Sequence, residues 1–240
     1  MCFTVNVNLI KEEIEYRYGI NFPDKYRYEP SYYYHAFSFP ELAAICSGYS
    51  TVRFLKWGLI PSWVRNASEA ASVRTKTFNA RSESLDSKQS FSSSFKSKRC
   101  IIPVRGFYEW QHAGKMKIPW YVYRADGGIL SLAGLYSSWY NKDNGEIVDT
   151  CSVITTDANE MMAVIHNSRK RMPVVLDRNN EENWISPDSS PSLLSEMLRP
   201  CPADVLKAHT IGPLINDRTK VRNTPEIIRE YIWDIPHTLF

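Results

Sequence analysis

The 240-residue chain has no apolar run approaching the roughly 18 residues that cross a bilayer as a helix, so a helical membrane span is excluded. Its start, MCFTVNVNLIKEEIEYRYG, lacks a basic leader followed by an apolar stretch and a small-residue cleavage site; a cytoplasmic protein is expected. The five cysteines, at 2, 46, 100, 151 and 201, are odd in number and scattered, with no CxxC pair and no Cys/His zinc spacing. Neither a disulfide framework nor a metal site is expected. GxSxG, HExxH, a Gly-rich phosphate loop and the EF-hand pattern are also missing, which removes the common hydrolase and nucleotide-binding classes. No repeat, heptad, long linker or composition break divides the chain, no cofactor is implied, and a monomer is expected.

What is present suits a globular protein: 43% hydrophobic, 23% charged and 13% aromatic residues, enough to bury a substantial core. The net charge of +3 decides no partner, but its distribution is uneven. Residues 53–81 carry Arg53, Lys56, Arg65, Arg74, Lys76 and Arg81 against Glu69 alone, and residues 96–124 carry seven cations against Glu109 alone. Such blocks are either solvated loops or the electrostatic footprint of a polyanion site.

LIKEEIEYRYG places Ile10, Ile14 and Tyr18 four apart, with acidic residues first and Gly19 as a stop; this predicts a helix over 8–18, with Asn8 as a candidate cap. An anchored first helix would hold the short segment before it in place. Residues 32–60 read as strands, 67–76 as a loop, TFNARSESL as a strand leaving into a helix, and SFSSSFKSKR as a short helix or connector. RCIIPVRGFYEW, PWYVYR, GILSLAGLYSSW and DTCSVITT are successive strand candidates. Asp157 or Asn159 could cap a helix through EMMAVI; PVVL and VLKAHTI read as strands, EENWI and PSLLSEML as helical pieces. One α+β domain over 2–240, on a mostly antiparallel, strongly curved sheet, is expected.

Several polar residues sit in unexpected company. Asn79 and Arg81 share one face of an extended segment. Glu109 stands between Tyr108 and Trp110 at the end of an apolar strand, where a carboxylate is costly unless paired or protonated. His166 follows an apolar helical turn and opens a basic loop. Each has a plain structural alternative: Asn79 a turn residue, Glu109 the partner of Arg105, His166 a satisfied helix end. Cys2, if Met1 is lost, would carry a thiol and an α-amine on adjacent carbons. Such a 1,2-aminothiol condenses with aldehydes to a thiazolidine; the alternative for Cys2 is simple burial.

MC at the start, WGLIPSW (57–63), NARSE (79–83), RCIIPVRGFYEW (99–110), LAGLY (132–136), ITTDAN (154–159), and IH followed by RMPVVL (165–176) resemble, in this order, the SOS response-associated peptidase (SRAP) family. The resemblance implies a single α+β domain around a barrel-like β core, with its active site in a basic groove. It also implies removal of Met1 and covalent capture of abasic sites in single-stranded DNA, in the DNA damage response. Carried onto matching positions, Cys2 would be the nucleophile, Asn79 would position the terminus and the opened sugar, Glu109 would be general acid and base, and His166 would assist proton transfer. Arg81 would contact phosphate, as would Arg169 or Arg171; Trp63 or Trp110 could stack on a base, the alternative for both being core packing. Two departures stand out. The family pattern MCGR is replaced by Phe3 and Thr4, which implies a lost phosphate contact and a narrower groove. NSRK also stands between His166 and Arg171 where the family usually has one residue. The alternatives are a cysteine-type peptidase acting on proteins, as the family's name suggests, and a non-covalent single-stranded DNA-binding module.

Overall fold

The β-branched and aromatic runs become strands, and most of them close on one another. The structure, a computed structural model, describes residues 2–24 and 27–234. Its strands are β1 Thr4–Val7, β2 Ser31–His35, β3 Glu41–Cys46, β4 Arg53–Trp57, β5 Asn79–Arg81, β6 Arg99–Val104, β7 Gly106–Ala113, β8 Met116–Arg124, β9 Leu130–Tyr140, β10 Ile147–Asp157, β11 Arg171–Pro173 and β12 Leu206–Thr210. The helices are α1 Lys11–Tyr18, α2 Ala67–Arg74, α3 Ser92–Ser97, α4 Glu160–Ile165, α5 Glu181–Ile185 and α6 Pro191–Met197.

β10 pairs with β9 on one side and, in parallel, with β4 on the other; β4 pairs with β3, β3 with β6, and β6 with β9. The ring of five strands therefore closes on itself. β5 continues along β10 where β4 ends, and β11 pairs with the last residues of β10. A second, fully antiparallel sheet runs β12-β8-β7-β1-β2. Val5, Val7, Phe107 and Val122 of this sheet share one buried cluster with Leu42, Leu55, Trp57, Ile102 and Leu132 of the ring. The chain is thus an α+β fold with a curved, mostly antiparallel, barrel-like core and peripheral helices.

Two glycines inside the quoted motifs are required by contact. Gly58 has φ 104°, and a Cβ there would lie 2.8 Å from the Arg74 carbonyl. A Cβ on Gly106, which opens β7, would lie 2.5 Å from the Val122 carbonyl on the neighbouring strand.

Several local expectations are corrected. Residues 67–74 form a helix rather than a loop; Asn66 Oδ1 accepts from the Glu69 N–H at 2.9 Å, and only Ala70 is buried, so no apolar stripe announced it. The first helix starts at Lys11, and Asn8 does not cap it: the Glu13 carboxylate accepts from the Ile10 N–H at 2.9 Å, while the Asn8 N–H donates to Asn6 Oδ1. Asn159, not Asp157, caps α4, accepting from the Met162 N–H at 2.9 Å. The strand expected at PVVL is displaced to Arg171–Pro173, and Val175 makes an isolated bridge to Leu132. RCIIPVRGFYEW is two strands in different sheets, broken at Arg105. Among the described residues, no helix is long and apolar enough to cross a membrane.

Candidate active site

Cys2 stands at the head of β1, an interior strand. β1 lies between β7 and β2, with Val5 opposite Phe107 and Thr4 opposite His35, and all four of its residues are buried. Backbone pairing continues upstream: the Ala36 N–H donates to the Phe3 carbonyl at 2.8 Å. Asn79 Nδ2 donates to the Cys2 carbonyl at 2.9 Å. Strand pairing from one side and an amide from β5 therefore fix the residue. The Cys2 side chain is fully buried, and that burial pushes its thiol well above the usual range, with the Glu109 carboxylate adding to the effect.

β7 carries Glu109 on the same face as Phe107, toward the shared core. The carboxyl is 3% exposed, and burial raises it to about 7. His166 ends α4, as residue 166 leaves the helix with its N–H still bonded to the Met162 carbonyl at 2.8 Å. Its ring is buried too, which holds it below the usual histidine value; the hydrogen bond to the Arg171 carbonyl acts the other way. Nδ1 lies 2.8 Å from that carbonyl, which can only accept, so Nδ1 carries the proton. In the neutral ring Nε2 then bears the lone pair, and it lies 3.9 Å from Glu109 Oε2. A protonated carboxyl and a basic nitrogen face one another near neutral pH, an arrangement suited to moving a proton in either direction. Glu109 is not the partner of Arg105, which is bonded to Glu13 at 2.5 Å.

Glu109 and His166 line a cavity of about 640 Å³ whose wall also includes Trp110, Lys117, Arg169 and Arg218. Trp110 is held by its indole N–H donating to Asn216 Oδ1 at 3.0 Å. Asn79 Oδ1 is buried with no hydrogen-bond partner among the described residues. Phe3 and His35 complete the wall on the β1–β2 side, where Thr4 Oγ1 and His35 Nδ1 lie 3.0 Å apart.

Glu109, His166, Trp110 and Arg169 line one cavity, and Cys2, tied to Asn79, lies near enough to Glu109 for the carboxylate to act on its thiol. Three predicted residues do not join them. Arg171 is buried and bound to Glu83 at 2.6 and 2.9 Å, to Asp157 at 3.0 Å and to the Thr155 carbonyl at 2.7 Å, so it serves the fold and Arg169 is the arginine of this loop at the cavity. Trp63 lines a separate hollow with Arg65 and Gln89. Arg81 is exposed on β5, outside the cavity wall. Conversely, sequence reasoning missed Lys117, His35 and Arg218. Lys117 was counted in the second basic block without a role, and no pattern distinguished the other two. Among the described residues, no group of three or more His, Cys, Asp or Glu is placed to hold a metal ion.

The family model for SOS response associated peptidase (SRAP) matches residues 1–218. Abasic site processing protein YoqW of Bacillus subtilis is 39% identical over 179 residues, 74% of this chain and 75% of its own. Abasic site processing protein HMCES of Gallus gallus is 31% identical over 196 residues, 72% of this chain and 56% of its own. A crystal structure of a protein from Bacteroides thetaiotaomicron superposes with a TM-score of 0.91 at 34% identity, covering 96% of this chain and all of that one.

Proposed function

Because the chain belongs to the SRAP family, we propose that it captures abasic sites in single-stranded DNA covalently, through Cys2 freed as the first residue once Met1 is removed. The names of YoqW and HMCES support the lesion as substrate. The observation that carries the chemistry is a Cys2 fixed beside a buried carboxyl raised to about 7 and a neutral histidine, at a cavity edged by cations.

An abasic deoxyribose is mostly a closed hemiacetal. Opening it needs a proton delivered to the ring oxygen and one removed from the C1′ hydroxyl, and the Glu109–His166 pair can do both. The Cys2 amine, with an ordinary value of about 7.7–8.0, is partly unprotonated at neutral pH and adds to the C1′ aldehyde. Loss of water from the carbinolamine gives an imine. The thiol, held protonated by its burial, is the slower nucleophile; it closes the five-membered ring second, its sulfur bonding to C1′ as its proton passes by way of Glu109 to the imine nitrogen. The balance is one aldehyde plus one aminothiol giving thiazolidine and one water. Removal of Met1 is assigned to the same thiol and carboxyl: the thiol bonds to the Met1 carbonyl carbon, the Met1–Cys2 amide bond breaks as the nitrogen takes a proton by way of Glu109, and one water hydrolyses the thioester to free methionine and the thiol. A single strand is preferred because an unstacked sugar can bend into the cavity, whereas a duplex must first expel it.

Intact-protein mass spectrometry tests the reading. Incubation with an oligonucleotide bearing one abasic site should give a stable species of protein without methionine, plus oligonucleotide, minus one water, and Cys2→Ala should give none. An equal adduct from Cys2→Ala, or cleavage of unrelated peptides without any adduct, would overturn it.

A further inference from the structure

The loop that follows His166 is longer than the family pattern, and one of its residues docks it onto β7. The His112 N–H donates to Asn167 Oδ1 at 3.0 Å, and Asn167 Nδ2 donates to the His112 carbonyl at 2.8 Å. An amide side chain here satisfies both backbone groups of one strand residue, as a neighbouring strand would. Because the N–H requires an acceptor and the carbonyl a donor, the amide has one allowed orientation. The rest of the loop is tight: the N–H groups of Arg169 and Lys170 both donate to the His166 carbonyl, at 3.2 and 2.8 Å, and Lys170 takes φ 48° before the chain enters β11. This left-handed turn at a lysine costs backbone strain that the surrounding contacts hold in place.

Asn167 directly follows His166, and His112 lies three residues from Glu109 on the same strand. We infer that Asn167 is a positioning residue: its two-point bond to His112 fixes the distance between the His166 ring and the Glu109 carboxyl, and seats Ser168 and Arg169 in the wall of the cavity that Lys117 also lines. The inference rests on the capture chemistry proposed above. α4 is only six residues long, and His166 stands at its end, with its ring and backbone hydrogen-bonded within the same loop. Without the amide, the loop loses its two-point bond to the strand that carries the acid.

Two readouts separate this inference from the capture reading. In the free protein, the His166 ring is titrated by NMR; it faces Glu109 and His112 of β7 and Arg169 of its own loop. Asn167→Ala should expose the ring and move its midpoint up toward that of an ordinary histidine. Asn167→Asp, which keeps the acceptor but sets an oxygen against the His112 carbonyl, should do the same. In single-turnover capture, Asn167→Ala should slow the step at saturating DNA by about tenfold or more, while binding of a strand with a non-opening tetrahydrofuran site changes less than about twofold. An unmoved His166 midpoint in both variants overturns the inference, as does an unchanged capture rate in a parent that forms the adduct. A parent that forms no adduct, with a midpoint that still moves, overturns the capture reading and leaves the positioning role supported.

Discussion

Burial raises the Glu109 carboxyl to about 7, a shift of the kind that clusters at functional sites and that costs stability when the group ionises. Glu109 is protonated in the fold at pH values where the unfolded chain has already released its proton. The folded state therefore binds more protons between the ordinary carboxyl value of 4.5 and about 7, and stability falls as pH rises through that window. The full penalty above the window is about 3 kcal/mol. Glu109→Gln, which keeps the shape and removes the titration, should be more stable than the parent by a margin that grows from pH 4.5 to 7 in thermal melts. A margin constant with pH would mean that the carboxyl is not raised in the fold. The same variant should slow capture by about 10²–10⁴, the usual contribution of a positioned acid–base group. Gain of stability with loss of rate is the paired signature of a catalytic carboxyl; a structural one would lose stability.

Among the elements, one arginine of the second basic block shows how a sequence can mislead about charge. Arg99 of β6 is fully buried, and its guanidinium donates to the carbonyls of Phe95 and Lys96 at 2.8 and 2.7 Å and of Trp184 and Ser186 at 2.7 and 2.5 Å. These carbonyls belong to the last turns of α3 and α5, so one cation caps two helices and ties both to the barrel. Arg99→Leu should strip four carbonyls of their partner and lower stability by about 3 kcal/mol or more, read from urea unfolding. A loss under about 1 kcal/mol would show that water replaces the guanidinium freely. Elements whose own residues announce them were legible: the long apolar strands, α1 with Gly19 at its end, and Asn159 before α4. Those decided by distant contact were not. The break of RCIIPVRGFYEW into two sheets depends on Gly106 meeting β8, and α2 has almost no apolar face. The same division holds at the site. Glu109 and His166 stand out in the sequence as polar groups in apolar surroundings and Cys2 by its place directly behind Met1, whereas Lys117, His35 and Arg218 resemble any solvated residue until the fold gathers them.

For the whole molecule, the question is how much of the positive charge can meet DNA. Of the two basic blocks, Arg53 is bound to Asp149, Arg105 to Glu13 and Arg124 to Asp126, Arg74 stacks over Phe39, and Arg99 is buried. The cations that line the cavity are Lys117, Arg169 and Arg218, two of which lie outside both blocks. Phosphate contacts from three such groups on a single strand give a slope of log K against log salt near −2, since each contributes about −0.7. The capture-incompetent Cys2→Ala protein should show this slope with a tetrahydrofuran-containing strand, and Lys117→Ala should reduce it by about 0.7 with little dependence on base sequence. A slope near −5 would mean that DNA tracks over the wider surface, through residues such as Arg65, Lys76 and Arg81, and that the cavity is one part of a longer groove. A shallow slope joined to rapid capture is the combination expected of a protein that binds strands loosely and holds them by a covalent bond at one sugar.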